Sequence, residues 1–160
     1  MLFKNVLVPY DDSGHAKAAL HLAIDLVGSD PDASIHVVMV VSNDIMPPSM
    51  VSSQMAFGDA FVDFEGYEQM LEVMAKRSDA ELRENIARVL GAGMDDIAAD
   101  LIMEVQLSPS PVDGISTYAS DRGCDLIVMG RRGLGALRGM LGSVSYGVLR
   151  SADVPVLTVK

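Results

Sequence analysis

Glycine and arginine crowd one stretch of the chain, residues 130–147, reading GRRGLGALRGMLGSVSYG. Six glycines in eighteen residues are too many for the whole stretch to be one helix or strand interior, where glycine is costly to order. Arg131 and Arg132 fill the gap between Gly130 and Gly133, and Arg138 follows. Such a stretch suits an anion. Glycines that take positive φ let backbone N–H groups approach it with no Cβ in the way. Gly142-Ser143 then opens a helix, whose free N–H groups and dipole favour negative charge. Ser143 either caps that helix or donates its hydroxyl to a phosphate. On the blander reading the glycines only turn the chain and Ser143 is only a cap.

Neither common phosphate pattern is present. No glycine precedes Lys-Ser or Lys-Thr, which removes a Walker A loop. Gly133 and Gly135 begin a G-x-G-x-x-G fingerprint, but position 138 is arginine. A second turn, VPYDDSG (8–14), offers Asp11 and Asp12 to a ribose, a base amine or a phosphate-bound Mg²⁺. Alternatively, Asp12 or Ser13 simply caps the next helix. His15, His21 and His36 have no cysteine or second histidine at ligand spacing, so helix-lining or surface roles are expected rather than metal binding. Neither a G-x-S-x-G elbow nor a Ser-His-Asp order supports hydrolase chemistry.

The bulk numbers narrow the partners. A formal net charge of -10 argues against nucleic acid and against an anionic membrane surface. That charge is uneven: residues 126–160 hold five basic side chains (Arg131, Arg132, Arg138, Arg150, Lys160) and one acid, Asp153. The Gly-rich stretch is a basic island in an acidic chain. With 49% hydrophobic and 21% charged residues over 160 positions, the chain can bury one sizeable core. The single cysteine, Cys124, cannot form an internal disulfide, and within CDLIVM it reads as a core residue in a reducing compartment. No signal-peptide pattern follows Lys4, and VVMVV (37–41) is too short to span a bilayer. A cytoplasmic protein is expected.

The elements that must position these residues alternate. FKNVLVP (3–9) reads as a strand. Ser13-Gly14 opens a helix in which Ala16, Ala19, Leu20, Ala23, Ile24 and Val27 share one face before Gly28 ends it. SIHVVMVV (34–41) is a strand apolar enough to be covered on both sides. Residues 42–63, with Pro47, Pro48, Met46, Met50 and Met55, show no period and read as a long loop, a lid or a binding segment. Helix resumes near Phe64, with Tyr67, Leu71, Met74, Leu82, Ile86 and Val89 as its stripe, and GAG (91–93) ends it. A strand over Asp100–Leu107, a helix over 111–122 and the strand CDLIVM follow. The last helix runs from Ser143 to about Arg150. VPVLTV (154–159) closes the chain, and Pro155 places it at a sheet edge or with the proline position facing away from a neighbouring strand. Alternation of this kind calls for one domain, residues 1–160, with a mostly parallel sheet and helices on both faces.

Together these features resemble the universal stress protein family over essentially the whole chain. NVLVPYDDS resembles its first strand and turn, V-P-x-D-G-S. DLIVMGRRGLGALRGMLGSVSYGVLRSADVPVLTVK resembles its carboxyl-terminal ATP-binding signature, G-x2-G-x9-G-[ST]. The resemblance implies a five-stranded Rossmann-like α/β domain, strand order 3-2-1-4-5, and a homodimer. An unpaired edge at VPVLTV makes the C-terminal strand the expected interface. It also implies ATP, or AMP or ADP, and Mg²⁺ carried by that nucleotide would fall to Asp11 and Asp12. Pro9 and Asp11 would flank the adenosine, and Val40, with Val41 as its register alternative, would touch the adenine. Gly130, Gly133, Gly142, Ser143 and Val144 would hold ribose and phosphates, with Arg131, Arg132 and Arg138 as further phosphate contacts.

Two departures stand out. Eight residues separate Gly133 from Gly142 where the pattern has nine, and Asp12 replaces the glycine after the first aspartate. The implied function is a regulatory stress-response dimer that binds adenine nucleotide. The alternatives are an interaction module without nucleotide, acting through its dimer surface and Met-rich loop, and an ATPase that is slow for want of a general base.

Overall fold

A computed structural model describes residues 2–42, 64–134 and 141–160. Five strands, β1 (Asn5–Pro9), β2 (Ser34–Ser42), β3 (Asp100–Ser108), β4 (Leu126–Gly130) and β5 (Val156–Val159), form one parallel sheet. Its order is β3-β2-β1-β4-β5, as the resemblance implied. Leu7 stands opposite His36 on one side and Ile127 on the other, and Ile127 in turn opposite Val156.

Helices α1 (Gly14–Val27) and α2 (Phe64–Leu90) cover one face. There Val6, Val8, Ile35, Val37 and Val128 pack with Ala16, Ala19, Leu20, Ala23, Leu82 and Ile86. Helices α3 (Pro111–Asp121) and α4 (Ser143–Ser151) cover the other, where Leu7, Val38, Ile127 and Met129 meet Ile115, Tyr118, Ala119 and Val148. Val6, Leu7 and Val8 therefore alternate between two cores. Each such side chain contributes about 1.5–3 kcal/mol by leaving water, which is why β1 reads as an unbroken apolar run.

Local chemistry sets the boundaries. The Ser13 hydroxyl accepts the Ala16 N–H at 3.1 Å and caps α1, and the Gly28 N–H donates to the Ile24 carbonyl at 2.7 Å to close it. A Cβ at Gly28 would stand 2.5 Å from that carbonyl oxygen, so no larger residue ends the helix this way. β1 starts at Asn5 rather than residue 3, because the Asp125 carboxylate accepts the Lys4 and Asn5 N–H groups at 2.8 and 3.1 Å. β5 starts at Val156 on the sheet edge, with Pro155 just outside the strand.

Glycines at 91–93 do not end helical backbone outright. Gly91 turns at φ +53°, and a 3₁₀ turn continues over Gly91–Asp96. Along α2, Leu82 and Ile86 are fully buried and Val89 packs beside them, while Leu71 and Met74 are half-buried. The Tyr67 side chain and the 43–63 segment with Met46, Pro47, Pro48, Met50 and Met55 lie outside the described residues. Among the described residues no helix is long and apolar enough to cross a membrane. Cys124 is buried, and desolvation pushes its thiol up to about 11, so it is a protonated core residue.

His36 is the one buried histidine among the described residues. Its Nδ1 shares a 3.1 Å hydrogen bond with the Tyr118 hydroxyl, and the two rings meet edge to face. Burial lowers its pKa below the ordinary 6.5, with Arg122 adding to this and Glu104 and Asp100 opposing. A lowered native pKa means that the unfolded chain takes up the proton first. Stability should hold above pH 6.5 and fall as the pH drops below it. Urea midpoints measured from pH 7.5 downward should show that fall, and His36→Gln should flatten it; equal slopes in both proteins would refute the assignment.

Candidate functional site

A cavity of about 350 Å³ opens between β1 and β4, where the strand order reverses. Open α/β sheets bind ligands at this point, beyond the carboxyl ends of the strands. One end is apolar, walled by Val38 and Val40 of β2, Met129 of β4, and Pro111 and Ile115 of α3. The other end is polar, built from Asp11, Arg132, Gly133, Gly142, Ser143 and Ser145. Pro9, Tyr10, Ala16, Gly130, Leu134 and Val144 complete the lining. An apolar slot with a few converging polar groups is the ordinary make-up of a small-molecule site.

The polar end rests on two close approaches. A Cβ at Gly133 would collide with Asp11 Oδ2, so the loop backbone lies directly against that carboxylate. Asp11 Oδ1 accepts the Ser13 N–H at 3.1 Å, which fixes the side chain from its other oxygen. A Cβ at Gly130 would lie 2.8 Å from His15 Cβ, so β4 is pressed onto α1 there. Neither glycine has a positive φ. Among the described glycines only Gly91 and Gly123 do, so what positions 130 and 133 require is space, not left-handed backbone.

The two ends of the Gly-rich span meet. The Arg131 N–H donates to the Val159 carbonyl at 2.7 Å, and the Arg131 carbonyl accepts the Gly142 N–H at 2.9 Å. The Ser145 hydroxyl, buried, donates to the Gly130 carbonyl at 2.9 Å. Both ends of the Gly-rich span are thus tied to one another. Gly142, not Ser143, holds the cap position of α4, and among the described residues no side chain caps that helix. The Ser143 hydroxyl has no partner among the described residues. The first N–H groups of α4 therefore open toward the cavity that Gly142, Ser143, Val144 and Ser145 line.

Other expected contacts fall elsewhere. Val41 and Arg131 are not in the lining, although Val40 and Arg132 are. Arg131 Nε is buried with no hydrogen-bond partner among the described residues. Arg138 lies outside the described residues. Asp12 turns from the cavity to Lys17 Nζ at 3.0 Å and the Tyr10 hydroxyl at 3.1 Å. Among the described residues no three His, Cys, Asp or Glu side chains gather as a metal site. Tyr10, Ser145 and the α3 wall were not singled out by the sequence. Ser145 had a weak signal, two residues beyond the GS pair, whereas Pro111 and Ile115 had none.

Comparison with known proteins agrees with this fold. A model of the universal stress protein family matches residues 2–160. A universal stress protein of Thermus aquaticus is 29% identical over 163 residues, covering 99% of this chain and all of the relative. YxiE, a universal stress protein of Bacillus subtilis, is 28% identical over 160 residues, covering 99% and 100%. Among solved structures, UspA of Lactobacillus plantarum superposes with a TM-score of 0.72 at 22% identity, covering 100% and 99% of the two chains. A universal stress protein in complex with cAMP gives 0.61 at 22% identity over 99% and 98%. One from Archaeoglobus fulgidus in complex with dAMP gives 0.52 at 17% over both whole chains.

Proposed function

The chain belongs to the universal stress protein family, and from that premise we propose that it binds AMP, ADP or ATP in the cavity between β1 and β4. The observation that carries this is the uncapped start of α4, opening onto a cavity whose far end is apolar. Free N–H groups and the helix dipole favour phosphate, and the valine wall suits a planar base. Adenine would lie against Val40, with Val38 and Pro111 beside it. The ribose would meet Pro9 and the Asp11 carboxylate, and Gly133, Gly142, Ser143, Val144 and Arg132 would hold the phosphates. The cAMP and dAMP complexes of two structural neighbours support an adenine ligand. Among the described residues Asp11 is the one carboxylate in the lining, so any Mg²⁺ would ride on the phosphates with Asp11 as a protein carboxylate beside it.

The role is regulatory, in the cytoplasm, and carried by a single domain. One Asp11 oxygen is already taken by the Ser13 N–H and no histidine lines the cavity, so hydrolysis is slow. A second copy would pair along the free edge of β5, where Leu157 is exposed, with Tyr146 and Leu149 of α4 also bare.

Protein purified without added nucleotide, extracted with acid and chromatographed, should release adenine nucleotide. Millimolar nucleotide should also raise its melting temperature. At a hundredfold excess over Kd the gain is about 2.7 kcal/mol, or roughly 5–10 °C for a domain of this size. Absence of both effects would remove the reading. Sedimentation that finds only monomer would remove the dimer.

A further inference from the structure

Asp12 is the one described residue other than glycine with left-handed backbone, φ +61°. It occupies the turn between β1 and α1, next to Asp11, and side chains adopt that conformation only when their surroundings hold them there. Two groups do so. The Tyr10 hydroxyl donates to Asp12 Oδ1 at 3.1 Å, and Lys17 Nζ reaches the same oxygen at 3.0 Å. Tyr10 is itself fixed, 3% exposed, with its N–H donating to the Val38 carbonyl at 2.9 Å. Lys17 stands in the first turn of α1, its N–H bonded to the Ser13 carbonyl at 3.0 Å. The three side chains thus span the end of β1, the turn and the start of α1.

We propose that Tyr10, Asp12 and Lys17 form a clasp that holds the β1–α1 turn in shape and pairs off the Asp12 charge, keeping the adjoining cavity receptive to a polyanion. Lys17 is then a positioning residue that sets affinity according to the number of phosphates, and this rests on the adenine-nucleotide reading above. Magnitudes separate this role from a structural one. The Lys17 and Asp12 side chains are 38% and 41% exposed, and pairs so open to water contribute little to folding. The same charges lie beside a cavity meant for several negative charges, within the reach of unscreened electrostatics at low salt. The Lys17 hydrogen bond holds the Asp12 carboxyl below its ordinary pKa despite partial desolvation, so it stays ionised and needs a counter-charge. Without Lys17, Asp11 and Asp12 would present two adjacent carboxylates to the phosphates. Without Asp12, Lys17 has nothing to neutralise.

The test is a thermodynamic cycle at low ionic strength. Adenosine, AMP and ATP are titrated calorimetrically into wild type, Lys17→Met, Asp12→Gly and the double variant. Amide exchange of the nucleotide-free proteins is followed across residues 11–13, with Tyr10→Phe added. Lys17→Met should weaken ATP about fivefold, the scale of an exposed charge pair, AMP less, and adenosine not at all. Asp12→Gly should restore ATP affinity in the Lys17→Met background. Tyr10→Phe should speed exchange at the turn. Unchanged ATP affinity in Lys17→Met, an equal loss for adenosine, or no rescue by Asp12→Gly would overturn the clasp. If wild type binds none of the three ligands, the nucleotide reading fails. The clasp is then decided by exchange alone, and unchanged exchange in Tyr10→Phe overturns it.

Discussion

Gly133→Val should reduce adenine-nucleotide affinity at least tenfold, with little change in the melting of the nucleotide-free protein. A Cβ at this position would collide with Asp11 Oδ2 and with no backbone atom of another element. Asp11 can rotate away only by giving up the Ser13 N–H that its other oxygen accepts at the head of α1. Either the carboxylate leaves the cavity or the loop backbone lifts from it, and each breaks a contact assigned to the ligand. Losing one charge-assisted hydrogen bond costs about 1.5–3 kcal/mol, which is roughly tenfold to a hundredfold in Kd. The fold has less at stake, since position 133 is part-exposed loop and belongs to neither core. Calorimetric titration beside a melting curve separates the two effects. A valine variant that binds as wild type would show that the Gly133–Asp11 approach has no part in recognition.

The strands were legible in the sequence because sheet and helices impose one demand along their whole length. β1, β2 and β4 are covered on both faces, so their apolar runs needed no alternation to identify them. Ser13 and Gly28 marked the ends of α1, since a cap is a local device that acts within four residues. The cavity was legible only in part. Its turn and loop carry short-range signatures, whereas Pro111 and Ile115 come from a helix whose place over β2 depends on Gly114. A Cβ there would stand 2.7 Å from Val40 Cγ1, a contact across 74 positions that no local pattern announces. His36 is similar: a histidine in a strand gives no hint of its Tyr118 partner, 82 residues on. The glycines of the loop were seen, but their reason was not. Positive φ is a property of one residue, while a close approach belongs to two segments meeting in space.

Gly130 makes the same point with the largest expected effect on stability. Gly130→Ala should destabilise the protein by about 1–3 kcal/mol, the range for an extra methyl forced into a packed contact. Its Cβ would stand 2.8 Å from His15 Cβ, 2.9 Å from the His15 carbonyl carbon and 3.0 Å from the Arg132 carbonyl oxygen. Two of these three atoms are backbone, so relief requires moving α1 off the sheet or the loop off β4. That strain cannot be shed by rotating a side chain, in contrast to position 133. Because the Gly130 carbonyl also receives the Ser145 hydroxyl, a shift of β4 would pull on the start of α4 as well. Nucleotide affinity should therefore fall together with stability, whereas at position 133 it falls alone. Gly14→Ala is the matched comparison, since nothing lies within 4 Å of a Cβ there and it begins α1. It should leave stability unchanged or raise it by about 0.4–1 kcal/mol through lower unfolded-state entropy. Chemical denaturation of the two alanine variants decides the matter: equal midpoints would mean that β4 and α1 can separate at no cost, and that the glycine serves the ligand alone.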